Sequence, residues 1–133
     1  MSKQKKILHG AHNKALCEFL FEQGKYFDWA VTTAFYSAIH FVESKLLPCS
    51  VNNITCSNIA DVRKAYPANG RHEARDLLTK RDLPRIAARY SWLDDKSRYS
   101  RYTTYKVSKA EAEKALQYLR VIEKACLADA SAS

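Results

Sequence analysis

The stretch from Phe27 to Leu47, "FDWAVTTAFYSAIHFVESKLL", constrains the fold more than any other part of the chain. Apolar residues recur in it every three or four positions, which places them on one face of an α-helix: Val31, Phe35, Ile39, Val42 and Leu46. A second stripe lies beside the first: Trp29, Thr33, Tyr36, His40 and Leu47. Together the stripes leave little of the helix surface polar, so we predict a helix at the centre of a bundle.

Four more helices are predicted, over about 8–23 and 70–80, from 82–83 onward with Pro84 in the first turn, and from Ser108 onward. Asp28 is a candidate cap for the central helix, and Glu111 stands three residues after Ser108, as in a capping box. Only three glycines and three prolines occur, too few for the many turns of a sandwich or barrel. We predict an all-α, antiparallel four- to five-helix bundle.

The chain is predicted to be a single domain, 1–133, with its core over about 8–127 and a disordered end at 128–133. Residues 49–69, rich in Asn, Ser and Thr, are predicted to form a long loop with a short helical turn near Ala60–Ala65.

The four cysteines form no C-x-x-C pair, and the chain shows neither an export signal nor a stretch of about 20 apolar residues. We therefore expect a cytoplasmic protein without membrane contact, whose reduced thiols are small apolar side chains. Neither a metal nor a cofactor is predicted.

Positive charge is concentrated in residues 63–106, which contain twelve Lys/Arg against five Asp/Glu, whereas the net charge of the whole chain is +8. Such a segment is typical of a surface that binds a polyanion, usually through phosphate. A basic surface that serves only solubility is the alternative.

Tyr36 and His40 lie one helical turn apart on one face of the central helix. They are either core residues satisfied by hydrogen bonds or members of an acid–base or phosphate-binding site. A second polar cluster, "GRHEARDLL", contains Arg71, His72 and Arg75, and the last two share a helix face.

The run "SRYSRYTTY" alternates arginine with tyrosine, and on its helix Tyr90, Leu93, Ser97 and Arg101 share one face. Arginine donates a fork of hydrogen bonds to phosphate, and tyrosine offers a ring on which bases stack. Ser97, Arg98, Arg101 and Tyr102 are therefore candidate contacts to single-stranded RNA or a nucleotide. Alternatively, the tyrosines cap the bundle and the arginines are solvated.

From Asp28 to Tyr102 the chain resembles the HEPN superfamily, the higher eukaryotes and prokaryotes nucleotide-binding domains. The resemblance rests on "WAVTTAFY", on His72-x-x-Arg75, and on "YSWLDDKS" followed by Arg101-Tyr102. It implies a helical bundle, usually a homodimer, and in many members a metal-independent ribonuclease of toxin–antitoxin or other prokaryotic defence systems. Such enzymes carry an Arg-x4-6-His motif that acts on the scissile phosphate.

This chain departs from that motif, since its first arginine, Arg63, lies nine residues before His72. The leading hypothesis is therefore an HEPN-like module that binds RNA or a nucleotide without cutting it. The second is a noncanonical metal-independent endoribonuclease with His72 and Arg75 as catalytic residues. In it Tyr36, His40, Arg71 and the residues of the arginine–tyrosine run contact the substrate. The third is a dimeric protein–protein interaction module.

Overall fold

The structure is a computed structural model that describes residues 2–66 and 70–128. Within them the chain forms six helices: α1 (Lys3–Gln23), α2 (Phe27–Leu46), α3 (Ile59–Ala65), α4 (Arg71–Asp82), α5 (Pro84–Tyr102) and α6 (Lys109–Leu127). A small antiparallel hairpin, β1 (Cys49–Val51) and β2 (Ile54–Cys56), lies between α2 and α3. The mostly helical class is as predicted. The predicted disordered end, apart from Ala128, lies outside the described residues.

α2 is the central helix, and it contacts α1, α4, α5 and α6. α1 runs antiparallel to it, because Lys6 meets Glu43 near the end of α2 and Cys17 meets Ala30 near its start. α6 runs antiparallel to both α1 and α5. The pairs Lys14–Glu123 and Glu18–Arg120 show this for α1, and the pairs Trp92–Tyr118 and Lys96–Glu111 show it for α5. These four long helices form the bundle, and α3, α4 and the hairpin pack at its side.

The predicted inner stripe of α2 is buried throughout. The second stripe is not, because Trp29 is 51% exposed and Tyr36 is 39% exposed. On one side of this stripe the ring of His9 in α1 stacks on His40, and on the other side Arg101 in α5 lies over Tyr36. Trp29 and Tyr36 therefore face outward between α1 and α5, whereas Thr33 and Leu47 of the same stripe are buried.

The start of α1 and the cap of α2 differ from the predictions, whereas α2 begins at Phe27 as predicted. α1 begins at Lys3, five residues early, with the Ser2 side chain accepting a hydrogen bond from the Lys5 amide. Its first turn is polar, so apolar spacing could not reveal it. Asp28 does not cap α2 but lies in its first turn, where its carboxylate interacts favourably with the positive end of the helix dipole. The capping box of Ser108 and Glu111 is confirmed.

The prediction of a loop over 49–69 is wrong at the hairpin. Asn52 and Asn53 both adopt positive φ, 51° and 65°, which suits a two-residue hairpin turn. The strands have three residues each, too few for an alternating pattern to stand out. The helical turn predicted near Ala60–Ala65 is confirmed as α3, whose start Asn58 caps by accepting from the Asp61 amide.

Gly10 allows α1 to approach α2 closely. Its carbonyl oxygen accepts a 2.7 Å hydrogen bond from the Ser37 hydroxyl. A Cβ at this position would lie 2.9 Å from the ring of Phe41, which is fully buried. The absence of a side chain therefore sets the distance between the two helices.

We predict that Gly10→Val lowers the free energy of unfolding by about 1–3 kcal/mol, because a larger side chain must push the Phe41 ring out of a close-packed core. Urea denaturation measures this loss. Ala11→Val, on the exposed neighbour, is the matched control and should cost only about 0.5 kcal/mol of helix propensity. Equal losses in the two variants would contradict close packing at Gly10.

Candidate functional site

A buried ion network joins three helices. The carboxylate of Glu43 in α2 accepts a 2.9 Å hydrogen bond from Lys6 Nζ of α1 and a 2.8 Å hydrogen bond from Arg75 Nε of α4. The side chains of Glu43 and Arg75 are only 11% and 8% exposed. We call Lys6, Glu43 and Arg75 the Glu43 triad.

The triad keeps the Glu43 carboxyl ionised. Burial raises the pKa of this group, but the charges and hydrogen bonds of Arg75 and Lys6 outweigh burial and hold the pKa below its ordinary value of 4.5. Two cations on one carboxylate leave one net positive charge in the network. Arg75 therefore stabilises the packing of α4 against α2, and its Nε is not available to a ligand.

His72 lies at the exposed edge of the triad, with Nδ1 3.5 Å from Arg75 Nη1. Partial burial, together with the positive charges of Arg75, Arg98 and Arg101, lowers the pKa of the imidazole despite the opposing carboxylate of Asp94. A neutral imidazole can accept a proton, which is the role that a ribonuclease would require of His72.

His40 lies one turn before Glu43 and stacks on His9 of α1, with ring centroids 3.7 Å apart. Burial and the neighbouring His9 lower the pKa of His40, so its imidazole is favoured in the neutral form. His40 thus packs at the α1–α2 contact, and no acid–base partner in the described residues holds it toward a ligand.

A second group of predicted residues meets around Arg101. The Arg101 guanidinium carbon lies 5.4 Å from the ring centroid of Tyr36 and 5.3 Å from that of Tyr102. Its Nη1 donates a 3.2 Å hydrogen bond to the Ser97 hydroxyl, whereas its Nε is buried without a partner among the described residues. We call Tyr36, Ser97, Arg101 and Tyr102 the Arg101 cluster.

A cleft of about 400 Å³ adjoins this cluster, between the first turns of α2 and the end of α5. Its lining includes Arg101, Trp29, Tyr102, Tyr105 and the acidic residue Asp28. Tyr102 and Tyr105 are 78% and 72% exposed. Their rings and that of Trp29 are therefore accessible to a planar ligand.

The remaining predicted residues lie elsewhere. Arg98 donates to the Asp94 carboxylate at 3.1 Å, and the two residues line a smaller cleft with His72. Arg71 is exposed at the start of α4.

The structure thus brings the predicted residues together in two neighbouring groups. His72 and Arg75 form one, and the Arg101 cluster forms the other. Phe35 lies between them, with its ring centroid 6.0 Å from that of His72 and 6.1 Å from that of Tyr36. The charges of both Arg75 and Arg101 act on His72, which places the groups in one electrostatic environment.

The sequence reasoning missed Glu43, Lys6, Asp28 and the contribution of Trp29 to a cleft. Glu43 continues the second stripe of α2 between His40 and Leu47. A carboxylate on a largely apolar stripe indicates a buried ion pair, and this is the feature of the sequence that could have revealed it. Nothing in the spacing of Lys6 distinguishes it from the neighbouring lysines of the first turn.

Comparisons with protein-family models, curated proteins and solved structures found no match to this chain. Among residues 2–66 and 70–128, no group of three or more His, Cys, Asp and Glu side chains could hold a metal ion. Over the same residues, the helices lack either the length or the apolar character needed to cross a bilayer.

We predict that Glu43→Gln lowers the free energy of unfolding by about 3–5 kcal/mol at pH 7, because the variant leaves the buried Arg75 charge without its carboxylate. Glu123→Gln, which breaks the more exposed pair with Lys14, is the control and should cost about 1 kcal/mol or less. Urea denaturation of both variants checks the difference. Similar small losses would show that the triad contributes little to stability.

We also predict how the stability difference between wild type and Glu43→Gln depends on pH. Because the folded state lowers the pKa of Glu43, its contribution is fully present above the unfolded carboxyl value and is lost as the pH falls through the folded value. The stability gap between wild type and Glu43→Gln should therefore shrink on acidification below pH 4.5, the ordinary pKa of the group. A constant gap would rule out Glu43 as the titrating group.

Proposed function

We propose that this protein is an HEPN-like module that binds the base and phosphate of a nucleotide, free or within single-stranded RNA, at the Arg101 cluster and its cleft. The observation that carries the proposal is Arg101 itself, placed between two tyrosine rings at the rim of an aromatic cleft. Alternating planar rings and a guanidinium are the chemistry with which proteins bind single strands.

The size and charge of the site support the same function. Ligand sites commonly measure about 300–1,000 Å³, and the cleft, at about 400 Å³, is large enough for a base with its sugar. The basic segment 63–106 includes all of α5 and would attract a phosphate backbone. A homodimer belongs to the proposal as well, and exposed apolar side chains on α1 support it: Leu8, Leu16 and Phe19.

Binding is favoured over cleavage by the position of Arg75. The second hypothesis requires it to clamp a phosphate, but its Nε is bound to Glu43 and its side chain is buried. Of the two catalytic candidates, only His72 is exposed, and its lowered pKa suits a proton acceptor. The ribonuclease is therefore the second candidate, and it rests on the 3.5 Å contact between His72 and Arg75.

We predict that a short fluorescent single-stranded RNA binds with an affinity that falls steeply with salt. Tyr102→Ala and Arg101→Ala should each weaken binding roughly tenfold or more, since one stacked base contributes about 1–3 kcal/mol. Arg101→Lys should keep the salt slope but bind more weakly, because lysine has no planar fork. Fluorescence anisotropy measures all three.

Arg120→Ala is the matched control, because this exposed arginine pairs with Glu18 on another part of the bundle. It should bind RNA as wild type does. Absence of RNA and mononucleotide binding, with a stable complex to another protein instead, would favour the interaction-module hypothesis. Equal losses in Arg101→Ala and Arg120→Ala would remove the Arg101 cluster from the binding site.

Asp28 predicts a base preference for the cleft. A carboxylate repels phosphate and only accepts hydrogen bonds, and the Watson–Crick edge of guanine presents two neighbouring donors to it. A bidentate contact of this kind discriminates between bases by about 1–3 kcal/mol. GMP should therefore bind more tightly than AMP, and Asp28→Asn should remove the difference, as calorimetry would show. Glu113→Gln, which makes the same charge change on α6, should preserve it.

We predict that single-stranded RNA incubated with wild type in EDTA stays intact, because the Glu43 triad holds Arg75. Denaturing gel electrophoresis checks this outcome. Cleavage that is lost in His72→Ala but kept in His12→Ala, a change at an exposed histidine of α1, would instead establish the ribonuclease candidate.

A further inference from the structure

The hairpin between α2 and α3 places two cysteines directly opposite each other. The two-residue turn fixes the register, in which Cys49 pairs with Cys56 at the open end of the ladder. Both are free thiols, with Cys49 half-buried and Cys56 buried. The other two cysteines, Cys17 and Cys126, lie buried in separate long helices.

Opposed residues of an antiparallel ladder have Cβ atoms about 4.5–5.5 Å apart, and a disulfide needs about 3.5–4.5 Å. A small inward movement of two three-residue strands is enough to close this gap. Burial, and after it the neighbouring Cys56, raise the pKa of Cys49, which indicates that the two thiols are close and means that oxidation is faster at higher pH, where more Cys49 is thiolate. A bond formed under slight strain is also more easily reduced.

We propose that Cys49 and Cys56 are a reversible thiol–disulfide pair that is oxidised by small disulfides such as oxidised glutathione. The Cys49 thiol, the more exposed of the two, loses its proton to water and attacks one glutathione sulfur. The glutathione S–S bond breaks, and one glutathione thiolate leaves. Cys56 then loses its proton to water and attacks the Cys49 sulfur, the mixed disulfide bond breaks, and the second glutathione leaves as a thiolate. Two protein thiols are oxidised, and one glutathione disulfide is reduced to two thiols.

The surrounding contacts connect this bond to the candidate site. Asn52 Nδ2 donates to the Ala65 carbonyl of α3, and Arg81 Nη1 at the end of α4 donates to the Ser50 carbonyl, both at 2.9 Å. A disulfide therefore fixes the open end of a hairpin that is hydrogen-bonded to α4, the helix that carries His72 and Arg75. The pair does not depend on the proposed nucleotide binding.

The test is incubation of the folded full chain with oxidised glutathione, followed by intact mass spectrometry and peptide mapping. Wild type should lose the mass of two hydrogens, yield a peptide linking Cys49 to Cys56, and return to its starting mass with dithiothreitol. Cys56→Ser should stop at a glutathione adduct on Cys49. The double variant Cys17→Ser/Cys126→Ser should still form the bond.

Three outcomes would overturn the proposal: no mass loss in wild type, a linked peptide that contains Cys17 or Cys126, or a Cys49–Cys56 bond that forms only in urea. The last distinguishes native register from chance pairing in the unfolded chain.

Discussion

The buried carboxylate of Glu43 is the constraint on which the arrangement of α1, α2 and α4 depends. An ionised carboxylate away from water is stable only with close partners, so α2 needs a cation on each side. Lys6 supplies one from the start of α1, and Arg75 supplies the other from α4. The two ion pairs set how far α1 extends along α2 and where α4 packs. They also hold Arg75 pointing inward.

Because Arg75 points inward, the Glu43 triad and the neighbouring Arg101 cluster differ in what they can do. The triad is part of the interior, and His72, which contacts Arg75, lies beside it at the surface. The Arg101 cluster is built oppositely: Ser97 is buried and positions the guanidinium, while Tyr36 and Tyr102 remain accessible around it. A buried support with an exposed planar surface is what a binding site requires, whereas a buried charge network chiefly determines the fold.

Periodicity in the sequence predicted the long helices and their inner stripes, because each stripe is a property of one helix. Tyr90, Leu93 and Ser97, which their spacing places on one face of α5, are all buried. Periodicity could not predict that Trp29 and Tyr36 face outward, because their exposure depends on where α1 and α5 pack beside α2. The partner of Arg75 stands 32 residues away in sequence, and no local pattern relates the two. The hairpin was missed because three-residue strands are shorter than the pattern that reveals a strand.

Much of the positive charge in the basic segment 63–106 is paired with carboxylates, so fewer of its cations can contact a polyanion than the sequence suggests. Within the described residues of 63–106, five cations contact carboxylates: Arg75, Lys80, Arg81, Lys96 and Arg98. Arg98 and Arg101 are only three residues apart, yet Arg98 lies one turn after Asp94 and Arg101 lies one turn after Ser97. A serine positions the guanidinium without neutralising it. The residue one turn earlier on α5 thus explains why Arg98 is paired with a carboxylate and Arg101 is not, as the proposed phosphate contact at Arg101 requires.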